Sequence, residues 1–461
     1  MPEGSAPIRG RVVLILALVA VVAVSGFLLD RKGPRAAVVG PIENTQTGAW
    51  FCPHGGTGGA RGWVVLTNPG QRDVEARVTT FGKNGVRARS SLSVPAGHQV
   101  YREVPATEPG ASTQVEYFGG WVGAAAVVQG GTKSKPGLAG ERCAPASRRT
   151  WFLPDQPTGR DETAYAVIMN PFSTPAQFNV VIRTEQRTIN PSSLTPFVLP
   201  PRSSVGIDLT KYALESPGQT TVATQVIQQI GRVVAGSFAL TPGSLRAELG
   251  LPALELRWIV PATDKAESAE VPMMNPGSTR TDVTVIRQGS TVQEVLSGED
   301  GLSLAPGFVS TFKAERISGA GLLVESTNRG RIATAAVLTG PGADTATIDG
   351  TNAPARAWLV LPTLPAEGGQ GVLILQNPGR RPVDVSIRLI GANGGLELPG
   401  AGLRTIPAGR TVVVPLQTAS GVAVSAIVVA KRGTFVAAGA SYVGDGAGYA
   451  ATLGVPMTGA G

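Results

Sequence analysis

Three observations predict an all-β chain: four tandem, immunoglobulin-like antiparallel β-sandwich modules behind one N-terminal transmembrane helix. Glycine and proline are abundant, 60 and 36 of 461 residues, while charged residues are 16% and apolar residues 42%. That balance suits many short strands joined by tight turns and is too apolar for a disordered chain. A unit of about one hundred residues recurs four times along the chain. Near the amino terminus stands one uncharged stretch long enough to span a bilayer.

That stretch comes first. Val12 to Leu29 reads VVLILALVAVVAVSGFLL, with Arg9 and Arg11 before it and Asp30, Arg31 and Lys32 after it. A helix of this length just crosses the hydrocarbon core. The expected organisation is a cytoplasmic tail over 1–11, a signal anchor over 12–29 and a linker over 30–48. Ala23-Val24-Ser25 has the small residues of a cleavage site. The apolar run continues past it through Phe27, Leu28 and Leu29, so length favours an uncleaved anchor. The rest of the chain then lies outside the cytoplasm, held to the cell membrane by a single pass.

The modules are expected over 49–147, 148–254, 255–355 and 356–461. Each opens with a tryptophan near a proline: Trp50, Trp151, Trp258 and Trp358. An apolar run then ends in Asn-Pro, with the asparagines at Asn68, Asn170, Asn275 and Asn377. Pro presets one turn dihedral and a following Gly accepts a positive one, so Asn-Pro-Gly predicts a type II turn. Phe172 replaces that Gly in the second copy, and a type I turn is expected there. The next strand alternates, as in Val383, Val385, Ile387 and Leu389 against Asp384, Ser386 and Arg388. Such alternation marks a half-buried strand. A Pro-Ala-Gly or Pro-Pro turn follows, then two more apolar runs, the last rich in small residues. Each copy therefore reads as about six or seven strands, the pattern of an antiparallel sandwich. The paired cysteines of antibody domains are missing, and the repeats fit either a string of beads or a closed assembly.

The stretch Trp50-Phe51-Cys52-Pro53-His54 gathers rare residues and invites a catalytic reading. Cys52 and His54 share a strand face. However, Cys143 sits in the closing tail of the same copy and is the other cysteine of the chain. In an oxidising compartment the pair reads as one disulfide. The other copies place Leu153, Val260 and Leu361 at the Cys52 position. Gly55 to Gly59 lacks the spacing of a dinucleotide loop and has no helix after it, so it reads as a flexible connection. The four opening tryptophans recur in every copy and read as core, together with the four asparagines as repeat structure. Trp63, Trp121 and His54 occur in the first copy alone and are the candidate surface contacts.

Several function classes are excluded. Two histidines and two cysteines without a metal-ligand spacing exclude a zinc site, and no cofactor is expected. The formal charge is +8, but the arginines are scattered and no Lys/Arg run of five or more exists, which argues against nucleic acid. No nucleophile elbow is present, and no catalytic residue is assigned.

The anchor, the opening Trp50-Phe51-Cys52-Pro53, the recurring Asn-Pro turns and the Pro-Ala-Gly turns resemble a family of single-anchor, exported actinobacterial proteins classed as a domain of unknown function. The resemblance covers nearly all of residues 42–461 and implies no catalytic residues. The expected role is a non-enzymatic scaffold or interaction protein of the cell envelope. Its expected partners are the membrane, through the N-terminal helix, and an envelope polymer or a partner protein. The alternatives are a carbohydrate-binding accessory to envelope polymer assembly and a hydrolase with an unrecognised site.

Overall fold

Each sequence repeat folds into two antiparallel sheets that share a core, giving eight sheets in all among the described residues. The structure, a computed structural model, describes residues 47–132, 135–213, 221–263, 265–340, 342, 344–365, 369–396, 402–416, 423–443 and 448–457. The expected anchor over 12–29, its 1–11 tail and nearly all of the 30–48 linker lie outside these residues. No helix among the described residues is long and apolar enough to cross a membrane.

The first repeat sets the pattern. Its strands are β1 (Thr47–Cys52), β2 (Arg61–Thr67), β3 (Val74–Gly82), β4 (Gly85–Val94), β5 (Gln99–Pro105), β6 (Ser112–Phe118), β7 (Gly123–Thr132) and β8 (Lys135–Arg142). One sheet has the order β1-β6-β3-β4 and the other β5-β2-β7-β8. The other three repeats keep this order. An immunoglobulin domain places its first strand beside the second and its seventh beside the sixth. Here β1 pairs with β6 and β7 pairs with β2, so the first and seventh strands have exchanged sheets. The reason is legible in β7. Ala124, Ala125, Ala126, Val127 and Val128 are all buried, as a central strand requires on both faces.

The alternation in β3 places Val74, Ala76 and Val78 inward and Glu75 and Arg77 outward. The opening tryptophans are core residues whose indole N–H reaches the opposite sheet. Trp50, Trp151, Trp258 and Trp358 donate to the carbonyls of Val122, Val233, Ile332 and Phe435 at 2.7, 3.0, 2.8 and 2.8 Å. Buried indole N–H groups find partners of this kind.

The Asn-Pro turns differ from expectation. Gly70, Gly277 and Gly379 do not have a positive φ, so these are not type II turns. The asparagine side chain makes the turn instead. Asn68 Oδ1 accepts from Gly70 N at 2.9 Å, while its Nδ2 donates to the carbonyls of Arg72 and Val94. Asn170, Asn275 and Asn377 repeat the arrangement. Since no positive φ is needed, Phe172 fits where the other copies have glycine. The positive φ falls instead in the next turn, at Gly97, Gly307 and Gly409.

The strand that sequence reasoning did not assign is the eighth. It forms a hairpin with β7, and its counterparts are Ser244–Leu249, Thr345–Asp349 and Tyr449–Leu453. These four closing strands pack against one another in cyclic order, β8 against Ser244–Leu249, and Tyr449–Leu453 back against β8. The four repeats therefore form a closed ring rather than a string of beads. Gly137 and Gly140 of β8 allow the approach, since a Cβ there would meet Leu245 of the second repeat and Thr363 of the fourth.

One structural position docks each repeat on the one before it. Ser204 Oγ donates to Gly110 O, Val309 N to Thr184 O and Thr411 N to Gly289 O. The equivalent residue of the first repeat, Gln99, donates through Nε2 to Ala423 O of the fourth at 3.0 Å. The same contact thus closes the ring. Hydrophobic clusters also run between repeats: Trp50, Val65 and Leu138 pack in one cluster with Leu359, Leu361 and Ile427.

Candidate functional site

The ring axis gathers the closing strands, and their side chains carry the most unusual chemistry of the molecule. A narrow cavity of about 10 Å³ is lined by Gly140, Glu141 and Arg142, by Ala247 to Leu249, by Thr347 and Asp349, and by Ala451 to Leu453. All four repeats contribute. Glu141 and Glu248 hold the same position in their closing strands, one residue before Arg142 and Leu249. Asp349 holds the position equivalent to Arg142.

Arg142 and Asp349 meet across the ring at 3.6 Å. Arg246 pairs with Asp155 at 3.3 Å, and Thr347 donates to the same carboxylate at 3.2 Å. Ser237 donates to Glu248 Oε2 at 3.4 Å. Glu141 is 3% exposed, and neither of its carboxyl oxygens has a hydrogen-bond partner among the described residues. Glu248 Oε1 and Asp349 Oδ1 are likewise without one.

Glu141, Asp155, Glu248 and Asp349 share this site with the guanidinium groups of Arg142 and Arg246, so acids outnumber bases. A buried, uncompensated carboxylate is expensive, and the group takes up a proton instead. Burial, reinforced by the charge of Asp349, raises the Glu141 carboxyl well above the usual range, against the pull of Arg142. Burial together with Asp349 and Asp155 does the same to Glu248. Burial pushes Asp349 up to about 7 in spite of Arg142. The axis therefore favours the protonated form of these carboxyls. No group of three or more His, Cys, Asp or Glu side chains is arranged to hold a metal ion among the described residues.

The other end of the closing strands is tied by Asp344. Its carboxylate accepts from the Ser244 hydroxyl, from Thr345 N at 2.8 Å and from Tyr449 N at 2.7 Å, joining the second, third and fourth repeats.

The residues singled out from sequence fall elsewhere. Cys52 and Cys143 form the disulfide, with both residues buried. It ties the edge strand β1 to the end of β8. Strand register aligns Phe51, Phe152, Ile259 and Leu359. The Cys52 position is therefore Leu153, Val260 and Val360, with Val360 replacing the Leu361 expected from sequence. Opposite them stand Gly250, Gly350 and Gly454, where a Cβ would press on those apolar side chains. An apolar side chain over a glycine takes the place of the bridge.

His54, Trp63 and Trp121 are not surface contacts. His54 is fully buried. Its Nδ1 donates to Gly55 O at 2.8 Å and its Nε2 accepts from the Thr113 hydroxyl at 3.0 Å. Burial lowers it to about 4, so it stays neutral. Trp121 packs edge-on against Trp50, with centroids 6.4 Å apart. Trp63 is 9% exposed, with Arg61 over its ring at 4.9 Å. Rarity within one copy suggests exposure, but Trp63 and Trp121 fill the first repeat's core and His54 is buried on its own hydrogen bonds.

The glycine run is no flexible connection in its first half. Gly55 N donates to Ala111 O, and a Cβ on Gly55 or Gly56 would collide with Phe238 of the second repeat or with the Ala106 backbone. The close approach of a neighbouring repeat demands glycine there.

Sequence reasoning missed Glu141, Glu248 and Asp349 because it left their strand unassigned. The available signal was the recurrence of Glu141 and Glu248 at one repeat position inside otherwise apolar tails.

Fold and site together define a class: an all-β protein of antiparallel sheets whose repeats close around a buried acidic axis. The chain matches a family described as a family of unknown function (DUF5719), over residues 116–353 and again over 243–455. It belongs to that family. Two overlapping matches to one family are what a tandemly repeated chain produces. A comparison with curated proteins finds no match.

Proposed function

We propose that this chain is a membrane-anchored, non-enzymatic scaffold or interaction protein of the cell envelope, its four β-sandwich modules held outside the cytoplasm as one ring. The observation that carries this reading is the ring closure through Gln99 and Ala423. Closure turns four repeats into one rigid platform, which suits presenting surfaces to partners more than it suits a reaching, flexible arm. The disulfide Cys52–Cys143 supports residence in an oxidising compartment.

Converging carboxylates would favour a hydrolase if they lined a substrate cleft. At about 10 Å³, room for no more than one water, the axial cavity falls far below the roughly 300 Å³ at which small-molecule pockets begin. Arg142 and Asp349 span it. The Arg142–Asp349 and Arg246–Asp155 pairs support a role in joining the repeats.

The test is sedimentation of the purified full-length protein with isolated cell walls, while soluble fragments are assayed and surface exposure is scored by protease treatment of intact cells. Binding without fragment release, on a protease-accessible protein, is the expected result. Release of soluble wall fragments would replace the scaffold with the hydrolase reading. A protein shielded from external protease would overturn the extracytoplasmic placement.

A further inference from the structure

A second cavity lies between the first and second repeats. It has about 760 Å³ of free space open to solvent, lined by Arg77, Thr79, Phe81, Arg89, Gln114, Glu116, Pro171 and Arg202. Its floor is one face of the β1-β6-β3-β4 sheet. Register places Arg77 beside Glu116, and Thr79 between Gln114 and Arg89. The far wall comes from two turns of the second repeat, one at Pro171 and one at Arg202, joined by a hydrogen bond from Arg202 N to Phe172 O. The groove exists only because the ring brings these repeats together.

Its charge is unbalanced. Arg77 meets Glu116 at a loose 3.7 Å, both partly exposed. Arg89 and Arg202 have no ion pair among the described residues.

Arg202 is the telling residue. It has φ 51°, while the equivalent Gly97, Gly307 and Gly409 have φ 70°, 84° and 64°. The left-handed region penalises a Cβ and is natural for glycine. The second repeat therefore departs from glycine in the turn that lines this groove, and the residue it puts there is a guanidinium. Strained positions of this kind concentrate where a ligand is held.

We propose that this groove binds an acidic saccharide, whose carboxylate or phosphate is held by Arg77, Arg89 and Arg202. Guanidinium forks match the planar oxygens of a carboxylate or the edge of a phosphate. Thr79 and Gln114 offer hydrogen bonds to hydroxyls, and Pro171 offers an apolar face. The choice of a saccharide over other oxyanions rests on the envelope reading above; the oxyanion site itself does not.

The experiment is calorimetric titration of the full-length protein, at low and at physiological salt. The ligands are a uronic-acid tetramer, a phosphorylated tetramer of a similar hexose and a neutral tetramer. One or both acidic tetramers should bind at least tenfold more tightly than the neutral one, and which of them does so identifies the oxyanion. Arg202→Gly restores the residue the other repeats use, so its fold should hold and its melting temperature should hold or rise while affinity drops tenfold or more. Arg89→Gln should do likewise. Arg316→Gly removes the same charge at another exposed arginine of positive φ (55°) and should change nothing. Equal binding of the neutral tetramer, no binding of either acidic one, or an equal loss in Arg316→Gly would overturn the proposal. Cleavage of a tetramer during titration would instead overturn the non-enzymatic reading and leave the binding site standing.

Discussion

Ser425 donates a 2.6 Å hydrogen bond to Gln99 Oε1 across a sequence separation of 326 residues. Thr67 shares the Ser425 hydroxyl at 2.7 Å, and Gln99 Nε2 reaches Ala423 O. This buried network is where the fourth repeat meets the first.

Ring closure should therefore be sensitive to Gln99. Gln99→Ala leaves the Ala423 carbonyl and the Ser425 hydroxyl short of partners. The expected cost is about 1–3 kcal/mol, the usual penalty for an unsatisfied buried polar group. Urea unfolding of Gln99→Ala, Ser425→Ala and the double variant measures it. The double variant should lose less than the sum of the singles, because the two residues share one network. Strict additivity would mean that the contact does not couple the repeats.

Reduction of Cys52–Cys143 should be costly. The bridge closes a loop with a separation of 91 residues, for which the chain-entropy relation gives about 4–5 kcal/mol. Unfolding midpoints of the oxidised protein and of Cys52→Ala/Cys143→Ala should differ accordingly. Thiol labelling of the native oxidised protein should find no reactive cysteine.

The acidic axis should make stability fall as pH rises. In the unfolded chain these carboxyls titrate near 4. In the ring Asp349 titrates at about 7, and Glu141 and Glu248 lie well above their usual range. Below about pH 4 both states hold the protons and nothing is lost. Between there and the folded values the unfolded chain gives up protons that the ring retains, so the contribution declines. Glu141→Gln removes an acid neither of whose carboxyl oxygens has a hydrogen-bond partner among the described residues. It should raise the unfolding midpoint at pH 8 and change it little at pH 4. A variant equally shifted at both pH values would show that Glu141 is not held protonated.

The asparagine staple predicts that two different changes at one residue cost about the same. Asn377→Asp keeps an acceptor for Gly379 N but cannot donate to the carbonyls of Arg381 and Ile406, which Asn377 Nδ2 now reaches at 2.8 and 3.0 Å. It should cost about 1–3 kcal/mol, much like Asn377→Ala. Gly97→Ala tests the neighbouring turn. Its Cβ would meet nothing, yet φ is 70°, so a cost of about 1–2 kcal/mol is expected from conformation alone. Thermal melts of the three variants decide.

Much of the fold was legible because repetition multiplies weak signals. Trp50, Trp151, Trp258 and Trp358 were readable as core, since one residue recurring at one place four times needs a common structural reason. Alternation exposed β3, and a run apolar on both faces exposed β2 as a central strand. The disulfide followed from cysteine count and repeat alignment, and Cys52 and Cys143 needed no geometry to be paired.

The failures share a physical cause. His54, Trp63 and Gly55 were judged by their neighbours in sequence, but their environments come from Thr113, from the sheet over the first core and from Phe238 of the next repeat. Glu141, Glu248 and Asp349 lie in separate closing strands, and nothing local in any one strand marks them as meeting. The chain alone determined the repeat, its β character and its bridge, because periodicity, turn chemistry and covalent pairing are properties of short segments. The ring, its acidic axis and the arginine groove were decided only in tertiary structure, because each is built from residues that become neighbours after four repeats have docked.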